Sequence, residues 1–241
     1  MKAELTFVLV HGGFHGGWCW RRVADRMRAA GHRVFTPTLT GLGERAHLLD
    51  ERVGVETFVA DVVGVLEAEE LTDVVLVGHS HGGMSITGAA DRVPDRIRRL
   101  VYLDALIVED GHTGFDEIPP GVVAERIDQA KEFSGGVAMP PFSPDAFAVT
   151  DPADSAWLRR RLTPHPVRSY RDTVALRHPV GNGLPCTYIA CTHPFYPPLE
   201  SSRRWARARS DWEWREIGTG HDAMIIAPEM LTQTLIDTAS R

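Results

Sequence analysis

Two kinds of hydrophobic run alternate along the chain. Continuous short runs occur at Leu5 to Val10, His32 to Phe35, Asp73 to Val77, Ile97 to Leu103, Thr187 to Cys191 and Trp212 to Ile217. These read as strands, several of them buried on both faces. Between them lie stretches with helical spacing. Trp18 to Ala30 is one, stopped by Gly31. Val55 to Glu70 places Phe58, Val62, Val65 and Leu66 on one face, and Gly82 to Arg92 is a small-residue helix. Leu199 to Arg209 and Ala223 to Ala239 complete the set. Such alternation predicts an α/β fold, a mostly parallel central sheet with helices on both faces.

The rhythm breaks from Ile107 to Leu184, which is rich in Pro and Gly, with short helical pieces around Val122 to Phe133, Ser155 to Leu162 and Ser169 to Ala175. The expected organisation is a core of residues 1–106 and 185–241, with 107–184 inserted as a small cap after the strand ending at Asp104. Phe115, Phe133, Met139, Phe142, Phe147 and Trp157 fall in the cap and are expected to shape an apolar pocket.

A length of 241 residues, 43% of them hydrophobic, suits one globular α/β domain. The net charge of −6 gives no basic footprint for nucleic acid. All basic residues but Lys2 and Lys131 are arginine; being scattered among acids, they read as a solvated surface. Cys19, Cys186 and Cys191 form no CxxC pair and fit a reducing, cytoplasmic setting. Met1 to Val10 is too short an apolar run for a signal peptide and reads as a buried strand. No run approaches the roughly 18 apolar residues of a membrane span. The expected partner is therefore a small-molecule substrate, with no nucleic acid and no membrane.

Gly78-His79-Ser80-His81-Gly82 fits G-x-S-x-G between a strand and a helix, the context that gives the motif meaning. Ser80 is the candidate nucleophile. His11-Gly12-Gly13-Phe14 follows the first strand, where the backbone N–H of Gly13 could join that of His81 in an oxyanion hole. His221, in a glycine-flanked loop between the last strand and last helix, is the candidate base. His79 and His81 are expected to shape the pocket. His32, His47, His112, His165, His178 and His193 carry no motif and read as surface or structural. The glycines between His11 and His15 argue against a helical zinc site, so no metal is expected.

Phe7-Val8-Leu9-Val10-His11-Gly12-Gly13-Phe14-His15-Gly16-Gly17-Trp18-Cys19-Trp20, Gly31-His32-Arg33-Val34, Val77-Gly78-His79-Ser80-His81-Gly82-Gly83-Met84 and Gly220-His221-Asp222 together carry a resemblance. The chain resembles the plant methylesterase and hydroxynitrile lyase family of the α/β-hydrolases. More closely, it resembles their bacterial relatives, carboxylesterases and pyrethroid-hydrolase-like proteins. The resemblance implies ester hydrolysis without a cofactor, a triad in the order Ser, Asp, His, and often a homodimer. Lyases of the family look to have threonine where this chain has Gly12 and lysine where it has Asp222, so the esterase branch is favoured.

The family's usual position for the triad acid falls in Cys191-Thr192-His193-Pro194-Phe195-Tyr196, which holds no carboxylate. Asp104, at the end of the strand next to the Ser80 strand, is the candidate instead, ahead of Glu200, Asp211 and Asp222. A lyase, cyclase or acyl-transfer enzyme is the rival function, and a non-catalytic ligand receptor a more distant one.

Overall fold

The computed structural model describes residues 4–240. The start of the Met1 to Val10 run, Met1 to Ala3, lies outside the described residues, as does Lys2. The elements in chain order are β1 (Thr6–Val10), α1 (Arg21–Ala29), β2 (Arg33–Phe35), α2 (Val55–Ala68), β3 (Val74–His79), α3 (Gly82–Arg92) and β4 (Ile97–Leu103). Residues 107–184 follow, with α4 (Pro120–Ser134), β5 (Ala138–Met139), α5 (Pro152–Arg159), β6 (His165–Pro166) and α6 (Arg168–Arg171). The chain ends with β7 (Cys186–Cys191), α7 (Glu200–Arg207), β8 (Trp212–Ile217), α8 (Ala223–Ile226) and α9 (Pro228–Ala239).

Six strands form one sheet in the order β2-β1-β3-β4-β7-β8, and every pairing is parallel. Side chains alternate across a strand, so each strand feeds two cores. Phe7, Leu9, Val75, Val77, Val101 and Leu103 pack with Trp20, Val23 and Met27 near α1, and with Leu231 and Leu235 of α9. On the opposite face Val8, Val10, Val74, Leu76, Leu100 and Tyr102 meet Phe58, Val62 and Leu66 of α2 and Ile86 of α3. Each such fully buried side chain contributes about 1.5–3 kcal/mol relative to exposure. β5 and β6 pair antiparallel in a separate two-stranded sheet.

Boundaries differ from the pattern where local chemistry intervenes. Gly17–Trp20 is a 3₁₀ turn, and the α-helix begins only at Arg21. Asp73 takes φ +54°, so the strand starts at Val74. The expected final helix is two helices, because Pro228 lacks the N–H needed to continue α8 and instead begins α9. The piece expected over Ser169 to Ala175 is only the single turn of α6. Phe133, expected to help shape the pocket, is 52% exposed, unlike the buried Met139 and Phe147 of the same segment. Among the described residues no helix is long and apolar enough to cross a membrane.

Candidate active site

Ser80, Asp104 and His221 all follow C-terminal ends of strands in the middle and far half of the sheet, where open parallel sheets collect functional groups. Ser80 sits on the turn between β3 and α3 with φ +53°, a strained conformation for a residue with a side chain. The turn survives because nothing crowds it. A Cβ at Gly78 would lie 2.7 Å from the Gly82 carbonyl oxygen. The Ser80 backbone N–H donates to the Leu103 carbonyl at 3.2 Å, and its own carbonyl accepts from Leu106 N–H at 2.9 Å. The serine loop is thereby tied to the β4 end that carries Asp104.

Asp104, also at positive φ (+42°), is fully buried. His221 Nδ1 donates to its Oδ2 at 2.7 Å. Its Oδ1 accepts from Arg203 Nη2 at 2.6 Å, Arg203 Nε at 3.0 Å and Cys191 N–H at 3.2 Å. The bond to Asp104 places the His221 proton on Nδ1 and leaves Nε2 as a lone-pair acceptor, the tautomer required of a general base toward a serine hydroxyl. Glu200 and Asp211 are surface groups, near Arg204 and paired with Arg209 respectively. Asp222 is buried and accepts from His15 Nε2 at 3.0 Å.

Gly12 lies against the nucleophile loop: a Cβ there would come 2.7 Å from Ser80 Cβ and 3.0 Å from His79 Nδ1. Among the described residues the backbone N–H groups of Gly13 and His81 find no acceptor within the protein. Buried N–H groups are rarely left so.

Buried histidines surround the site, and their hydrogen bonds fix most of their tautomers. His11 donates from Nδ1 to the Gly12 carbonyl and accepts Leu39 N–H at Nε2; burial holds it neutral, down at about 3. His81 donates Nε2–H to the Ser169 carbonyl, and burial lowers it to about 4. His79 donates Nε2–H to the His221 carbonyl and is pushed well down, by burial first and then by the charges of His221 and His15. His15 faces acceptors at both nitrogens, the Gly13 carbonyl and Asp222. Burial opposes its charge, but the Asp222 carboxylate and these hydrogen bonds outweigh it and raise the imidazole.

Candidate metal-ligating atoms of His79, His221 and Asp222 lie within 4.8 Å of one another. Each of these residues already serves a protein partner: the His221 carbonyl, Asp104 and His15. His79 Nδ1 and Asp222 Oδ1 have no partner.

Of the aromatics expected in the pocket, Phe147 stacks toward His221 at 6.2 Å, Phe142 packs on Phe14 at 4.5 Å and Phe115 stacks on Tyr170 at 5.2 Å. Trp157 packs instead on Trp18. A cleft of about 190 Å³, lined in part by Phe147 and Tyr196, opens beside His221.

Several groups escaped the sequence. Tyr196 stacks on His221 at 4.2 Å. His165 is fully buried, accepting Phe14 N–H and bonded to Ser169, so it belongs to the site wall. Arg126 and Arg203 are buried, 6% and 5% exposed, against the expectation of a solvated arginine surface. No motif marked them, since helical arginines look alike in sequence.

Comparison with known proteins agrees with this architecture. The model of the alpha/beta hydrolase family matches residues 7–233. A carbendazim hydrolysing esterase of Nocardioides sp. (strain SG-4G) is 40% identical, covering 95% of this chain and 98% of its own. Esterase PIR7B of Oryza sativa subsp. japonica is 39% identical, covering 100% and 97%. Among solved structures, an extracellular alpha/beta-hydrolase from a Paenibacillus species superposes with a TM-score of 0.82 at 27% identity, over 99% of this chain and 100% of its own. With a match that runs from β1 into the last helix, the chain belongs to the alpha/beta hydrolase family.

Proposed function

We propose that this protein hydrolyses carboxylic esters of small, largely apolar molecules through an acyl-enzyme. The observation that carries this is the 2.7 Å bond from His221 Nδ1 to Asp104, with Ser80 held at positive φ and its backbone bonded to Leu103 and Leu106 on either side of Asp104. Ser80 attacks the ester carbonyl while His221 Nε2 takes its proton. The Gly13 and His81 N–H groups stabilise the oxyanion, and the imidazolium returns the proton to the departing alcohol. Water, activated by the same imidazole, then releases the acid. Asp104 fixes the tautomer and stabilises the imidazolium.

Residues 107–184 act as a cap, with Phe142 and Phe147 closing over the site. Two esterase relatives near 40% identity over almost the whole chain support the reaction class. The close packing of Gly12 on Ser80 leaves no room for the threonine of the lyase branch, which supports hydrolysis over cyanohydrin cleavage.

The test is labelling with a fluorophosphonate together with turnover of p-nitrophenyl esters and of carbendazim. Labelling on Ser80 alone is expected, with a kcat loss on the order of 10³-fold or more in Ser80→Ala. Labelling elsewhere, or near-normal turnover by the alanine variant, overturns the mechanism.

A further inference from the structure

Helix α4 in the 107–184 segment is mostly exposed, yet Arg126 on it is 6% exposed. Its guanidinium carbon sits 5.2 Å over the Phe142 ring and 5.7 Å over the Tyr170 ring. Burial raises the Tyr170 and Tyr196 phenols, and the guanidinium is near enough for its charge to act against that on both. Among the described residues no carboxylate comes within 4.0 Å of it. A guanidinium does not shed its proton. A charge buried without an opposite charge is costly, and folds keep one where something else compensates. Arg203, the other buried arginine at the site, has Asp104 for that purpose; Arg126 packs against the faces of Phe142 and Tyr170.

The position of those phenols is informative. Tyr196 stacks on His221 at 4.2 Å. The Tyr170 hydroxyl would stand 3.5 Å from a Cβ at Gly13, beside the oxyanion donors. Arg126 therefore sits against the Tyr170 ring, whose hydroxyl lies beside Gly13, and its charge is felt by Tyr196, the ring stacked on His221. Its charge also reaches His81 and His165, adding to the burial that keeps both neutral.

We propose that Arg126, with the Tyr170 and Tyr196 hydroxyls, forms a subsite for a carboxylate carried by the ester substrate, so that preferred substrates are half-esters or esters of acids bearing a second, free carboxylate. This rests on the ester hydrolysis proposed above and adds the charge of the substrate to it. The bound carboxylate supplies the missing counter-charge, and the phenols donate to its remaining lone pairs.

The experiment compares p-nitrophenyl hydrogen glutarate with p-nitrophenyl hexanoate, esters of similar reach that differ in terminal charge. Arg126→Met keeps much of the stem packing and removes the charge. It is expected to lower kcat/KM for the glutarate ester by about 30-fold or more, mainly through KM, while the hexanoate stays within about threefold. Arg126→Lys is expected to recover part of the loss. Equal losses on both esters, or an unchanged ratio, would mean that Arg126 only braces the cap.

A second readout does not depend on turnover. Glutarate is expected to raise the melting temperature of Ser80→Ala and not of Ser80→Ala combined with Arg126→Met. If glutarate does not stabilise the single variant, the subsite is wrong whatever the esterase assays show. If wild type turns over neither ester and Ser80 resists fluorophosphonate, while glutarate still binds through Arg126, the hydrolytic reading fails and the carboxylate subsite stands.

Discussion

The Asp104 carboxylate divides its two oxygens between an imidazole and a permanently charged guanidinium: Oδ2 holds His221 at 2.7 Å and Oδ1 holds Arg203 at 2.6 Å. Arg203 also reaches the carbonyls of Cys191 and Tyr196, so one guanidinium ties together β4, the end of β7 and the loop carrying Tyr196. It touches no reacting atom and is a positioning residue. Arg203→Met leaves a buried carboxylate with one partner fewer, and breaking such a pair costs about 3–5 kcal/mol. Urea unfolding should show that loss. Aryl-ester kcat should fall with KM nearly unchanged, and Arg203→Lys should restore activity only in part. Wild-type kcat in the methionine variant would show that Asp104 is held without it.

Asp104→Asn removes the acceptor that fixes the His221 proton on Nδ1. The amide can present its N–H₂ to that nitrogen and favour the wrong tautomer. The expected drop in kcat is on the order of 10⁴-fold, as in serine enzymes that lose the triad acid this way. Glu200→Gln, on the surface, should stay near wild type. A deficit of only about tenfold in Asp104→Asn, or ~1.4 kcal/mol, would take the role of triad acid away from Asp104.

Asp222 is buried and its side chain is hydrogen-bonded to His15, not to His221. Asp222→Asn should therefore lower stability more than it lowers kcat per folded molecule. Thermal unfolding measured beside active-site titration separates the two. A large kcat loss with unchanged melting would give Asp222 a direct part in the reaction.

Gly12→Ala places a methyl where Ser80 Cβ lies 2.7 Å away, with backbone and ring atoms of His79 close behind. The nucleophile loop cannot yield without losing its hydrogen bonds, so ester turnover should fall steeply. Gly121→Ala is the matched control. It lies in α4 with nothing within 4 Å, and should stabilise by about 0.5–1 kcal/mol with no change in activity. Normal kinetics in Gly12→Ala would show the loop to be softer than its packing implies.

The buried histidines set a pH dependence of stability. His11 and His81 are lowered by burial to about 3 and about 4, and His79 and His165 are lowered too, burial leading in each case. Unfolded, each returns toward about 6.5. Between about pH 4 and 6.5 the unfolded chain binds more protons than the folded one, so stability falls as pH falls. His15, raised by Asp222 against the penalty of burial, acts on the other side. Its contribution is complete below about pH 6.5 and is lost as pH rises through its folded value. The urea midpoint should drop between pH 6.5 and 4.5, with net proton uptake on unfolding. A midpoint that is flat or rises toward acid would contradict neutral histidines in the fold.

The parallel sheet, the serine turn and the late histidine were legible in the chain because each has a local cause. Continuous apolar runs make doubly covered strands, and Gly78 and Gly82 allow the turn at Ser80 whatever lies around it. Asp104 could be singled out because a carboxylate at the end of a buried strand needs a partner, and the more familiar loop offered none. The identity of that partner was a different matter. That His221 Nδ1 meets Asp104 while Asp222 turns to His15 depends on loops separated by more than a hundred residues, and adjacency in sequence pointed to neither. Arg126 and Arg203 were read as two more solvated arginines among many. A helix periodicity says which face a residue is on, but not whether another segment later covers that face. The covering of α4 by Phe142 and Tyr170, and of α7 by the Cys191–Tyr196 loop, is what turned two ordinary cations into buried charges, and only the packed chain could decide it.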